Sequence, residues 1–228
     1  MTRMKVAAVV GACFRLEVVR AVRSRQYQLL AIAIPVGLYL AVVIGGLRPS
    51  SAAGIQDPSW PAQAMVAMAT LGALGTGLAI GGSRLAGDRA SGWLRSLALA
   101  PLPWPYLLLG RGAAGVALAG VPVLLLLSLG ALLGGVVLPP AGWAQLVASI
   151  WIGAVPFVLL GTIAGLAPSR RTALALVVAL YVGLTAVGGL LAEPLTRAAP
   201  AATIGWIEPS YVVGDLGWQA IRGQPPSP

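Results

Sequence analysis

The sequence predicts an all-α integral membrane protein with five transmembrane helices, an N-terminal amphipathic helix and one short polar helix between spans. Three observations carry this. Of the 228 residues 58% are hydrophobic and only 9% charged, against roughly 25% charged in soluble domains, and the mean hydropathy is +0.88. The apolar residues fall into runs long enough to cross a hydrocarbon core, for which about 20 residues suffice. The basic residues are segregated: of 15 Lys and Arg, 12 lie in segments that an alternating five-span path places on one side.

Residues 1–25 form an N-terminal cytoplasmic segment with Arg3, Lys5, Arg15, Arg20, Arg23 and Arg25 against Glu17. Its apolar core, Val6 to Phe14, is too short for a span and lacks the features of a cleaved leader. Phe14, Leu16 and Val18 alternate with Arg15, Glu17 and Arg20, which suits a helix at the membrane surface; a plain basic anchor is the alternative. The transmembrane domain covers 26–192. Its first span, Gln26 to Leu47, is uncharged and carries Pro35, which kinks it. A Pro/Ser/Gly-rich loop follows, ending at Trp60 in the interfacial aromatic belt.

The second span runs from Ala62 to Gly82. Gly72, Gly75 and Gly77 give it small-residue spacing for close helix packing; a flexible hinge is the other reading. The segment from Arg84 to Arg111 is the one long polar interruption, with four arginines and Asp88. Gly87 to Leu99 reads as a short amphipathic helix with Leu94, Leu97 and Trp93 on one side and Asp88, Arg89, Ser91 and Arg95 as polar positions. Pro101, Pro103 and Pro105 end it. It either receives a cytoplasmic partner or simply fixes topology.

Gly112 to Ser169 is uncharged and divides at Leu138 to Gly142 into a third span, Leu107 to Val137, and a fourth, Trp143 to Ala167. A basic turn at Arg170 and Arg171 leads to the fifth span, Thr172 to Ala192. The tail, 193–228, is broken by prolines and reads as an extracytoplasmic cap with Trp206, Tyr211 and Trp218 at headgroup level. The basic residues place the N-terminus and central loop in the cytoplasm. The charge of +9 thereby reflects topology and gives no nucleic-acid footprint. Lysine occurs once against fourteen arginines, and Ala, Gly and Pro abound, which suggests a GC-rich bacterial genome; a multi-pass chain from such a source is expected in the inner (cytoplasmic) membrane.

Several chemistries are excluded. Without histidine there is no imidazole metal site, triad or proton relay. Lys5, the one lysine, lies in no GxxxxGK[ST] stretch, so the chain has no P-loop. Cys13 has no partner for an internal disulfide. No paired acids suggest a catalytic residue, and no metal site is expected.

Three stretches bear a resemblance. Arg23 to Leu40 (RSRQYQLLAIAIPVGLYL), Gly87 to Arg111 (GDRASGWLRSLALAPLPWPYLLLGR) and Val187 to Leu216, with its Gly-rich helix end and Pro-broken pieces, are similar in kind and order to the permease subunits of ABC exporters of the ABC-2 type. The string Leu99 to Pro105 is also similar to the haem-exporter B subunits of cytochrome c maturation, a related variant. The resemblance implies six spans, a homodimer or heterodimer of permeases in membrane lipid, and a separate cytoplasmic ABC ATPase subunit. ATP and Mg would be bound by that partner, with no cofactor in this chain. It also implies a coupling helix on the ATPase at Asp88, Arg89, Gly92, Trp93, Leu94 and Arg95. The sequence supplies five spans, which keeps a non-transporting membrane scaffold or accessory subunit as the alternative. Cargo is expected to be apolar or amphipathic (drug, lipid or peptide), its path marked by Met65, Met68, Thr76, Tyr181 and Thr185.

Overall fold

The computed structural model describes residues 3–46, 60–92, 104–188, 190 and 209–222. Among them the architecture is all-α, with five helices long and apolar enough to cross a membrane. In chain order the elements are α1 (Arg3–Val22), α2 (Arg25–Val43), α3 (Trp60–Ala90), α4 (Trp104–Leu132), α5 (Pro140–Gly165), α6 (Arg170–Val187) and α7 (Pro209–Arg222). Helices α2 to α6 are the five span candidates.

The bundle is built around α3. Its apolar window is entirely buried, while those of α2 and α6 are 28% and 22% buried and therefore form the periphery. Apolar packing gains little against lipid, so membrane helices associate through close backbone approach and interhelical hydrogen bonds. The small residues of α3 allow that approach on several sides. A Cβ at Gly72 would lie 2.8 Å from Pro122 of α4, and one at Gly77 would lie 2.5 Å from the Phe157 carbonyl carbon of α5. At Gly75 it would drive into the Leu30 carbonyl of α2.

Helix α2 shows why Pro35 is tolerated. Residues Gln28–Ala33 widen to a π-turn, in which the Ile34 amide donates to the Leu29 carbonyl. In that register Leu30 faces Pro35, which has no N–H. The Tyr181 hydroxyl of α6 donates to the Leu30 carbonyl instead, at 3.1 Å. The freed backbone group thus becomes a tie between the first and fifth spans.

The structure corrects three expectations. The second span does not stop at Gly82: α3 continues through a π segment, Leu78–Arg84, to Ala90, so Asp88 and Arg89 belong to its last turns and not to a separate helix. It ends at Ser91 and Gly92, the latter at φ +75, where glycine lacks the Cβ penalty of the left-handed region. The continuation of that proposed helix through Trp93 to Leu99 lies outside the described residues. Second, α1 is not merely a surface helix. It packs along α4 with Glu17 only 5% exposed, because the carboxylate finds arginines there. Third, the tail contributes a helix to the bundle. Trp218 of α7 is 2% exposed, its indole nitrogen donating to the Gln63 carbonyl of α3 at 3.3 Å, and Gly217 lets α7 close on Val66. Burial of Trp218 in protein, in place of headgroups, follows from that fit. Tyr211 is half-buried on the same helix, and Trp206 lies outside the described residues.

Candidate functional site

Charged residues from three helices converge where the polar segment begins and ends. Helix α1 brings Glu17 and Arg20, the end of α3 brings Arg84 and Asp88, and the start of α4 brings Arg111. Arg111 is the hub. Its Nη2 and Nε donate to Glu17 Oε1 at 2.6 and 3.1 Å, and Nη2 also donates to Asp88 Oδ2. Arg84 Nη2 lies 3.0 Å from Glu17 Oε2, a charge contact without hydrogen-bond alignment, while its Nη1 donates to the Glu17 backbone carbonyl at 3.1 Å. Arg20 Nη2 donates to Asp88 Oδ1 at 2.6 Å. These contacts link Arg84, Glu17, Arg111, Asp88 and Arg20 in series, each carboxylate held by two guanidiniums.

Local structure explains the convergence. Arg84 and Asp88 are four residues apart on α3 and share a face. Glu17 and Arg20 are three apart on α1 and share another. Four of the five side chains are almost fully enclosed, with Arg111 4% and Asp88 3% exposed; Arg20 is the outlier, its side chain 37% exposed. A buried charge without a partner is costly, and planar guanidiniums can serve two carboxylates at once.

Arg89, next in sequence to Asp88, points the other way. Its Nη1 donates to the Gly165 and Ala167 carbonyls at 3.1 and 2.9 Å, satisfying acceptors at the C-terminal end of α5. Asp88 and Arg89 therefore fasten the last turn of α3 to α1 and α4 on one side and to α5 on the other. Gly92 follows immediately in the turn, and Trp93, Leu94 and Arg95 lie outside the described residues. The polar segment is anchored near both ends, by Asp88 close to its start and Arg111 at its end.

The other residues singled out from the sequence are packed, not gathered around an opening. Gly72, Gly75 and Gly77 face neighbouring helices of the same chain. Met65 and Met68 sit in the core, Thr76 donates to the Gly72 carbonyl of its own helix at 2.9 Å, and Thr185 donates to the Tyr181 carbonyl. The roles of Glu17, Arg20, Arg84 and Arg111 as a set were missed by sequence reasoning. One signal was present: Glu17 and Asp88 are the only acids among the basic segments, and a lone acid in a basic stretch that packs on another calls for a pair.

Comparison with known proteins then bears on the reading. The chain is 26% identical over 215 residues, 92% of its length and 84% of the relative's, to the Bacillus subtilis protein named "Putative transport permease YvfS". Five spans and this likeness support a transmembrane transport permease. No protein-family model and no solved structure matches the chain.

Proposed function

We propose that this chain is the permease subunit of an ATP-driven ABC exporter of the ABC-2 type, working with a separate cytoplasmic ATPase that binds the ATP and Mg. The observation that carries the reading is the anchoring of the polar segment. Asp88, Arg89 and Arg111 bracket it and tie its two ends to α1, α4 and α5. A load applied by a partner to the residues between, Trp93, Leu94 and Arg95 among them, is thereby delivered to several helices at once. Asp88 and Arg89 act here as positioning residues, and the docking surface falls on Gly92 to Arg95. The segregation of basic residues supports a cytoplasmic location for this end in a bacterial inner membrane.

The chain acts as one half of a homodimer or heterodimer, and its cargo is apolar or amphipathic: a drug, lipid or peptide. Likeness to a protein named as a transport permease supports transport; the resemblance of the polar segment supports the exporter class. The test is reconstitution. The chain co-expressed with its ATPase should co-purify with it, and the Leu94→Asp/Arg95→Glu double variant should lose the ATPase while remaining in the membrane. Retention of the ATPase by that variant would refute the docking surface.

A further inference from the structure

A groove of about 610 Å³ opens between the start of α4 and the end of α5, within the roughly 300–1,000 Å³ of small-molecule sites. Gly112 and Val116 line one wall and Val155 and Leu159 the other. A Cβ at Gly112 would meet nothing within 4 Å, so the α4 wall is hollowed there. The lining offers almost no polar partner. The Thr162 hydroxyl donates to the Val158 carbonyl at 2.8 Å. The Arg111 guanidinium is turned to Glu17 and Asp88, its side chain only 4% exposed. Between Leu108 and Val116 the groove runs roughly 12 Å along the helix axis. Beyond Val116 the Trp151 ring packs on Gly120 and its Nε1 donates to the Val116 carbonyl at 2.6 Å, closing that end. Leu109 and Leu159 on the rims are exposed, so the groove opens sideways to lipid.

We propose that this groove binds an uncharged hydrophobic small molecule, taken sideways from the bilayer. Chemistry selects the class: with its polar groups already spent, the site returns nothing to a charged or hydrogen-bonding ligand for its lost hydration. Size and stiffness select against an acyl chain. One leaflet is about 15 Å of hydrocarbon deep, half of the core, and a chain of that length overruns a groove closed at Trp151. A compact, rigid body fills the hollow at Gly112 without the ordering cost of a flexible chain. The walls also matter, because neighbouring residues hold them: Asp88 pairs with Arg111 on α4, and Arg89 donates to the Gly165 and Ala167 carbonyls at the end of α5. An occupant between α4 and α5 therefore bears on the same last turn of α3 that anchors the polar segment. Met65 and Met68, expected on a cargo path, are packed in the core, whereas this groove is open. That its occupant is the exported cargo rests on the export reading; the binding itself does not.

Benzophenone, an uncharged photoreactive molecule of this class, reads the site in proteoliposomes of the full chain without any ATPase. Photolysis and peptide mass spectrometry should place adducts on residues 108–116 and 155–162. Excess diphenylmethane, of similar shape but without the photochemistry, should lower them about tenfold. Adducts at Val182, exposed on α6, should not respond, because a probe merely dissolved in lipid is not displaced. Gly112→Phe and Leu159→Trp fill the groove from opposite walls, and each should remove most of the displaceable labelling, so that misfolding of one variant does not decide the matter. Groove adducts that diphenylmethane leaves unchanged would make acyl chains the occupant and overturn the site. Displaceable labelling kept in both filled variants would do the same. So would a Leu109→Cys disulfide between copies, formed in a Cys13→Ser background and unaffected by diphenylmethane, which would make a second copy the occupant. Failure of the chain to hold an ATPase would leave these results standing, and so tells a fault in the export reading from a fault in the site.

Discussion

At the residue scale, the arginines of the cluster are not equivalent, and burial ranks them. Arg111 serves both carboxylates from a side chain 4% exposed, whereas Arg20 serves Asp88 from one 37% exposed. Removing one partner of a buried pair typically costs about 3–5 kcal/mol, because the other charge stays enclosed. A partly exposed pair is worth about 0–1 kcal/mol. Arg111→Ala should therefore lower the unfolding free energy by about 3–5 kcal/mol and Arg20→Ala by about 1 kcal/mol or less. Denaturant titration in detergent checks the order; equal losses would mean that Arg111 is not the hub. The charges of Asp88 and Arg111 were plain in the sequence, but their burial was not. Arg111 and Glu17 are 94 positions apart, and no local periodicity encodes a pairing at that separation.

At the element scale, the polar turn-and-span pattern was legible and its boundaries were not. Glycine spacing marked α3 as a packing helix, and the structure places backbone of α2 and α5 against it. Where α3 ends could not be read, since Arg84 and Asp88 look like loop residues until the arginines and acids of other helices neutralise them. The packing gives a sharp contrast. Gly75→Leu should sharply reduce the yield of folded protein by driving into the Leu30 carbonyl, while Gly37→Leu, facing open space on α2, should be tolerated. Size-exclusion profiles in detergent would show it, and equal behaviour would contradict the role of α3 as the central contact. The Pro35 bypass makes a milder prediction. Tyr181→Phe removes the donor to Leu30, and interhelical hydrogen bonds in membranes average about 0.6 kcal/mol with a maximum near 1.7. A loss in that range is expected, and no measurable change would mean that the freed carbonyl needs no partner.

At the scale of the whole molecule, the charge cluster and α7 occupy opposite ends of α3: the cluster joins at Arg84 and Asp88, while Trp218 docks at Gln63. If basic residues fix the cluster end in the cytoplasm, Gly223, just beyond α7, lies outside. A cysteine there in a Cys13→Ser background should react with an impermeant thiol reagent in intact cells; labelling only after lysis would invert the topology. Composition alone made the five spans readable, since hydrocarbon imposes length and polarity on every crossing element. The place of α7 was not readable, because a tryptophan suits headgroups and a protein groove equally well until the groove is seen. The central claim is that the cluster transmits a partner's stroke from the polar segment to the bundle. The measurement that tests it most directly compares ATPase binding and cargo export in proteoliposomes for wild type and the near-isosteric Asp88→Asn, matched for folded protein. The account predicts that Asp88→Asn keeps the ATPase bound and hydrolysing while export falls by about tenfold or more; export at the wild-type rate per ATP hydrolysed would contradict it.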